Sequence, residues 1–176
     1  MLVYPNRKNL TLKLLLCDAV IIVDAHNLGL WNVLKSNYRI HIASTVLKKE
    51  AQFFKDDLQE KHYLDFRKDI DQGRIIKISM TIEEIQAVIK KAGEHRLDIH
   101  AGEAESIASL AKTAYQQLDF CTADKAAVAA VHLFDAMSRV VSLEKCLEGL
   151  KSCKLPYKLS ETAMQQWKSD AIQRVG

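Results

Sequence analysis

The stretch LDFCTADKAAVAAVHLF, at residues 118–134, contains the two kinds of element that decide the fold. Its first part, residues 118–124, is a short apolar run ending in an acid, which predicts a buried strand. Its second part is rich in alanine and valine and predicts a helix. A strand followed directly by a helix is the repeating unit of a parallel sheet covered by helices.

The same alternation runs along the whole chain. The clearest strand is predicted at AVIIVDA, residues 19–25, a continuous β-branched run typical of a strand covered on both faces. Further strands are predicted at 39–44, 74–80 and 138–142, and helices between them, including one that starts at TVLKKEAQFF (45–54) and continues to Gly73. We therefore predict an α/β fold of three layers (α/β/α) around a central, mostly parallel sheet of about five strands.

Length and composition predict one domain. The 176 residues are 48% hydrophobic and 27% charged, an ordinary balance for a globular chain with a sizeable core. We assign residues 1–155 to this domain and residues 156–176, which begin at Pro156, to a C-terminal helical extension of it. A net charge of +3 excludes a bulk polycation, so nucleic-acid binding would need a local patch.

Cysteine usage and hydropathy predict a cytoplasmic protein. The four cysteines contain no C-x-x-C pair, which leaves a structural zinc site without support. Free thiols in apolar runs are typical of a reducing compartment. No apolar run is long enough to cross a membrane, and no signal-peptide cleavage site is present.

Several acids occupy positions where acids are unusual. Asp24 and Asp124 end predicted strands, and sites in open α/β sheets form at those ends. Glu50 lies about 40° from Val46 on a helical wheel, in the centre of an apolar stripe. A carboxylate facing the core costs several kcal/mol unless it is paired or binds a metal. The alternatives are ordinary helix caps for the two aspartates and a buried salt bridge for Glu50.

The helix predicted at GEAESIASLA separates its two glutamates. Relative to Ile107, Glu103 lies at about −40°, within the inward stripe, and Glu105 lies at about 160°, close to the opposite side. We therefore expect Glu103 to face the core and Glu105 to be solvated. The alternative for Glu103 is a favourable interaction with the N-terminal helix dipole.

Four such acids, Asp24, Glu50, Glu103 and Asp124, cannot share one pocket as carboxylates without a counter-charge. Mg²⁺ or Mn²⁺ would supply it, since Mg²⁺ prefers oxygen ligands and keeps several waters. A metal of this kind supports hydrolysis of phosphodiesters by water.

The order IIVDA, ASTVLKKEA, GEAESIASLA, DFCTAD resembles the PIN domain, the metal-dependent ribonuclease fold of many toxin–antitoxin toxins. The resemblance covers roughly residues 19–150. It implies that Asp24, Glu50 and Asp124 are the first, second and fourth acids of the family, with Glu103 or Glu105 as the third. The related flap endonucleases use both glutamates of an E-A-E pair for metal, so Glu105 stays a candidate metal ligand on that analogy.

One residue departs from the family pattern. PIN domains place Ser, Thr or Asn two residues after the first Asp, and here that position is His26. His26 is a candidate for contacting a phosphate or a water, or it is an ordinary loop histidine. Lys49 and Lys125, each next to a candidate acid, are candidate substrate contacts or surface charges, and Trp31 either stacks on a base or packs in the core.

The resemblance implies a Mg²⁺- or Mn²⁺-dependent endoribonuclease acting on RNA, the toxin of a toxin–antitoxin pair with an antitoxin protein as partner, and a homodimer. The alternative is a catalytically silent PIN-like module that binds RNA or protein. A metal-dependent phosphohydrolase of another α/β family ranks lower, because those commonly carry D-x-D at the first strand end and the run here is DAH. No G-x-G-x-x-G or G-K-[ST] motif follows the first predicted strand, which argues against a nucleotide-binding Rossmann or P-loop protein.

Overall fold

The computed structural model describes residues 12–150 and 154–175. Its strands are β1 (Lys13–Cys17), β2 (Tyr38–Ala43), β3 (Phe53–Lys55), β4 (Lys61–Tyr63), β5 (Ile75–Ile78), β6 (Leu118–Cys121) and β7 (Val140–Val141). Five of them form one parallel sheet in the order β5-β2-β1-β6-β7, and β3 and β4 form a separate antiparallel hairpin. The predicted three-layer α/β/α fold is confirmed.

Eight α-helices surround this sheet in the described part of the chain. They are α1 (Ala19–Asn27), α2 (Trp31–Asn37), α3 (Arg67–Asp71), α4 (Ile82–Glu94), α5 (Ala101–Leu110), α6 (Lys125–His132), α7 (Leu143–Leu147) and α8 (Glu161–Val175). A π-helical turn, Val46–Glu50, follows β2. Short 3₁₀ turns occur at Thr113–Tyr115, Met137–Arg139 and Tyr157–Leu159.

The central strand β1 is buried on both faces, which is why it reads as an unbroken leucine run. Leu16 packs into one core layer, with residues of α4, α5, α6 and α8. Leu15 points the other way, into a second layer with residues of α1, α2 and α7. Because side chains alternate along a strand, one short segment serves both cores.

The prediction of a strand at residues 19–25 is wrong, because this stretch is helix α1. The strand lies just before it, at β1. Asp18 divides the long apolar run: it follows β1 directly, and its side chain accepts a hydrogen bond from Ala19 N, so it caps the new helix. The buried residues Ile21, Ile22 and Ala25 then follow helical spacing.

The long helix predicted from residue 45 to Gly73 is also wrong. The chain forms the π-helical turn, the β3–β4 hairpin and the short helix α3 instead. The hairpin is held to the body by Phe54, whose ring stacks on His26 of α1 with centroids 5.7 Å apart. This contact across the fold overrides the local helical pattern.

The other predicted elements lie within a few residues of the observed ones. The strands at 39–44, 74–80, 118–124 and 138–142 correspond to β2, β5, β6 and β7. The C-terminal extension is tied to the sheet, since Lys168 of α8 donates to Val140 O. Residues 1–11 and 151–153, with Cys153, lie outside the described part. Within that part, no helix is both long and apolar enough to cross a membrane.

Candidate metal site at the carboxyl edge of the sheet

Asp18 is at the carboxyl end of the central strand. It directly follows β1 and is only 2% exposed. Its Oδ1 accepts from Ala19 N at 2.6 Å, and its Oδ2 accepts from the Thr122 hydroxyl at 2.9 Å. The capping geometry therefore fixes this carboxylate at the edge of the sheet.

Asp124 is held beside it by the neighbouring strand. β6 pairs with β1 in parallel register, with Cys17 opposite Cys121, so both chains leave the sheet at the same edge. Asp124 caps α6, because its Oδ1 accepts from Ala126 N and Ala127 N at 2.7 and 2.9 Å. The Thr122 hydroxyl, which donates to Asp18, also accepts from Asp124 N at 3.1 Å.

Glu50 approaches the same edge from the π-helical turn. Its Oε1 accepts from Gly102 N at 2.9 Å. A Cβ at position 102 would lie 2.1 Å from Glu50 Oε2 and 2.7 Å from a methyl of Val46. Only glycine leaves room for this carboxylate, so the GEAE sequence places Glu50 as well as Glu103.

Glu103 completes the group from the first turn of α5. It is 6% exposed, and its Oε2 accepts from His100 N at 2.8 Å. The ring of His100, at the helix start, has its Nδ1 3.7 Å from the same oxygen. We call Asp18, Glu50, Glu103 and Asp124 the acid cluster.

The raised pKa values of Asp18 and Glu103 show that these acids are buried and lie close enough to other acids of the cluster to be repelled by them. Burial raises the pKa of Asp18 to about 6, and repulsion from Glu50 and Asp124 adds to this, against the hydrogen bonds from Thr122 and Ala19. Burial also raises the pKa of Glu103 to about 7, with further repulsion from Asp18 and Asp124. The four acids therefore act on one another, and they lack sufficient positive charge nearby.

The acid cluster offers carboxylate oxygens, the ligand type that a hard divalent cation prefers. Three of these carboxylates have one oxygen that accepts a hydrogen bond and one that accepts none from the described residues. The oxygens without a hydrogen bond are Glu50 Oε2, Glu103 Oε1 and Asp124 Oδ2. No three cluster residues bring one oxygen each within 4.8 Å of one another. As placed, at most two of the four carboxylates could therefore contact one Mg²⁺ ion, which binds through one or two carboxylates and keeps several waters.

Asp24, predicted as the first acid, is not brought to the acid cluster. It lies in the last turn of α1, six residues after Asp18 and therefore about 9 Å along the helix axis. Its Oδ2 is shielded from solvent and lies 2.6 Å from Lys158 Nζ without directed hydrogen-bond geometry, so an ion pair neutralises it. Asp18 occupies the strand-end position instead. The sequence reasoning missed it, although its place directly after the apolar run LLLC could have indicated a strand end.

Glu105 contradicts the expectation that it is solvated. It is 2% exposed, and its two oxygens accept from Thr45 N at 2.6 Å and Met80 N at 3.0 Å. Those residues follow β2 and β5 in the chain. The helical-face argument fails because nearly every residue of α5 is buried, so α5 has no solvated side. Glu105 joins the ends of two strands and has both oxygens occupied.

The predicted substrate residues lie in different settings. His26 Nδ1 donates to Ile22 O at 2.7 Å, and burial lowers the pKa of this histidine. Lys125 pairs with Asp170 of α8, and Lys49 is exposed next to Glu50. Trp31 is 5% exposed and stacks on His26, so it packs in the core.

A second group of residues could hold a metal ion. Asp56, Glu60 and His62, on the hairpin, each place one ligand atom within 4.8 Å of the others. Sequence reasoning missed them because it assigned this segment to a helix. We call these three residues the hairpin group.

No protein-family model, curated protein or solved structure matches this chain. What the site can do is therefore judged from its own geometry. Four carboxylates from four separate segments meet at the edge of a parallel sheet, where sites in open α/β folds form.

Proposed function

We propose that the protein is a divalent-metal-dependent nuclease that hydrolyses RNA phosphodiesters at the acid cluster. The observation that carries the proposal is the convergence of four acids whose mutual repulsion and burial raise the pKa of Asp18 and Glu103. Such an arrangement is costly unless a cation neutralises it. The resemblance to PIN domains supports RNA as substrate, with Asp18 in place of Asp24 as the first acid.

In this proposal the residues at the acid cluster have different roles. When bound, Mg²⁺ or Mn²⁺ would stabilise negative charge on the phosphate and acidify a water. Thr122 holds Asp18 and the Asp124 backbone in one orientation, and Gly102 holds Glu50. Glu103, with a pKa of about 7, can accept a proton from the attacking water near neutral pH.

The test is cleavage of single-stranded RNA with Mn²⁺ by the wild type and three variants. We expect Asp18→Asn and Asp124→Asn to lower the rate by about 10²-fold or more, because each removes a charge that acts on the reacting phosphate. Asp24→Asn is the matched control and should keep the rate, since Asp24 pairs with Lys158. Equal cleavage by all variants, or loss in the control alone, would contradict the proposal.

The alternative function is a silent module that binds RNA or protein. With Asp18 as the first acid, the family's hydroxyl position falls on Val20, which has none, and this favours the alternative. Thr122 supplies a hydroxyl to Asp18 from another strand and favours activity. Calorimetric titration with Mn²⁺ separates the two, because tight binding that Asp18→Asn abolishes argues against a silent module. An antitoxin partner, a homodimer and a cytoplasmic location stay predictions.

A further inference from the structure

The β3–β4 hairpin has two chemically different faces. Phe53 pairs with Tyr63, Phe54 with His62, and Lys55 with Lys61. Since successive side chains alternate, the first and third pairs share one face and the second pair occupies the other. We call these the outer face (Phe53, Lys55, Lys61, Tyr63) and the inner face (Phe54, His62).

The inner face packs against the body of the protein through Phe54, whereas His62 at its edge stays exposed. His62, Phe54, His26 and Trp31 form a continuous ring stack, with successive centroids 4.9, 5.7 and 4.9 Å apart. Phe66 adds edge contacts to His26 and Trp31. This packing holds the hairpin in place, so the outer face is presented by a fixed support.

Three residues of the outer face, Lys55, Lys61 and Tyr63, are exposed and Phe53 is partly buried, so the face combines one open aromatic ring with positive charge. Tyr63 is 78% exposed, and its ring lies 6.2 Å from that of Phe53. Lys61 Nζ lies 4.6 Å above the Phe53 ring, and Lys55 is its cross-strand neighbour. All four side chains are aromatic or positively charged, so no acid neutralises the lysines within the face itself.

The outer face begins close in the chain to Glu50, one residue of the acid cluster. Glu50 ends the π-helical turn and Phe53 begins β3 three residues later, so their Cα atoms are separated by about 11 Å at most. Lys48 and Lys49, both exposed, precede Glu50 and add positive charge at this end. The acids Asp57 and Glu60 lie at the opposite end, near the turn.

We propose that the outer face binds single-stranded RNA and leads it towards the acid cluster, an inference that rests on the proposed nuclease function. Exposed rings stack on unpaired bases with little sequence preference, and lysines contact the phosphates between them. A duplex keeps its bases stacked on each other and cannot use the rings. Lys55 and Lys61 lie next to the turn, and Phe53 and Tyr63 lie at the base of the hairpin, so a strand that contacts both pairs runs along the hairpin towards Glu50.

The experiment is fluorescence anisotropy with a labelled oligouridylate, in EDTA so that cleavage and metal play no part. Tyr63→Ala is expected to weaken binding by about 5- to 100-fold, the loss of one stacked base. A Lys55→Ala, Lys61→Ala double variant is expected to lower the slope of log K against log salt by about 0.7 per lysine. Tyr157→Ala and Lys90→Ala, which change exposed residues elsewhere, are the matched controls and should behave as the wild type.

Several results would overturn the inference. It fails if the hairpin variants bind as the wild type does, or if the controls lose as much affinity. It also fails if duplex RNA shows the same Tyr63 dependence. A poly-glutamate peptide that binds as tightly as the oligouridylate would point to an acidic protein partner instead. Circular dichroism and melting temperature check that each variant is folded.

Asp124→Asn separates this inference from the proposed function. We expect it to bind the oligouridylate at least as tightly as the wild type in EDTA, because it removes a negative charge, while cleavage is lost. RNA binding through Tyr63 in a wild type that does not cleave would refute the nuclease and leave the outer face as a binding surface. Cleavage without any Tyr63 effect on affinity would refute the outer face and leave the nuclease.

Discussion

The acid cluster and the hairpin group both offer oxygen ligands, but their environments are opposite. In the acid cluster, burial and mutual repulsion raise the pKa of Asp18 and Glu103. In the hairpin group, hydrogen bonds from His62 and the backbone lower the pKa of Asp56. Asp56 is already satisfied by Leu58 N, Glu60 N and His62, whereas the cluster keeps oxygens without donors. The two criteria therefore point to different places, because ligand spacing favours the hairpin group as a metal site and unmet charge favours the acid cluster.

The largest effect that sharpens this comparison is expected at Glu105, a buried acid outside the cluster. Glu105→Ala leaves two part-buried N–H groups, those of Thr45 and Met80, without acceptors. We expect the free energy of unfolding to fall by roughly 2–6 kcal/mol, at about 1–3 kcal/mol for each group. Urea denaturation measures the loss. Glu105→Gln, which keeps one acceptor oxygen, should lose less, and equal stability of Glu105→Ala and wild type would show that this acid is not structural.

The second effect is the pH dependence of stability without metal. The folded pKa values of Asp18 and Glu103, about 6 and 7, exceed the ordinary values of 3.8 and 4.5. The folded state therefore binds more protons than the unfolded state over this range. The contribution of these two groups to stability is largest below about pH 4 to 5 and is lost as the pH rises through 6 and 7. We expect a loss of a few kcal/mol between about pH 4 and 7, and at most about 6 kcal/mol, because each pKa lies more than two pH units above its ordinary value.

Urea denaturation at a series of pH values checks this expectation, with and without Mg²⁺. Bound Mg²⁺ stabilises the folded state at neutral pH, so it should flatten the decline. Glu103→Gln should remove part of the decline in EDTA. Stability that rises with pH over the same window would show that the cluster has a counter-charge of its own.

Much of the fold is predictable from local pattern. Glu50 was predicted from a helical stripe over residues 46–54, of which only the π-helical turn forms. The βα alternation at 39–44, 74–80 and 118–124 identified three strands of the sheet, and the strand end and the GEAE helix led to Asp124 and Glu103. In each case the helix or strand is decided by neighbours in sequence. These three acids come together because parallel strands all leave the sheet at one edge.

One of the three main errors comes from a missed local cap, and the other two come from contacts between distant segments. The run LLLCDAVIIV looks like one apolar element, and only the capping role of Asp18 shows that it is a strand followed by a helix. Phe53 and Phe54 fit a helical stripe, yet stacking on His26 makes them a hairpin. Glu105 looks solvated until α5 is found to be enclosed. The partners of Phe54 and Glu105 are distant in sequence, so periodicity alone could not find them.

The third effect is on metal affinity. Glu103→Gln removes one carboxylate of the acid cluster, and we expect Mn²⁺ binding to weaken by about 10- to 100-fold, comparable with the loss of a supporting group at known metal sites. Isothermal titration calorimetry measures the affinity. Glu83→Gln, on the exposed side of α4, is a matched control. Unchanged affinity in Glu103→Gln would remove this residue from the metal site and leave its raised pKa as a consequence of burial alone.

The smallest effect is expected at the hairpin group, where Asp56→Asn should leave Mn²⁺ affinity unchanged. Asn keeps the oxygen that accepts from Leu58 N and Glu60 N, so the turn is preserved while the charge is removed. The group is exposed, and water solvates its charges without help from a cation. Calorimetry that shows one Mn²⁺ site lost in Asp56→Asn, and kept in Asp18→Asn, would reverse the comparison. The hairpin would then be the metal site, and the acid cluster would have to be neutralised by protons, as the raised pKa of Glu103 allows near neutral pH.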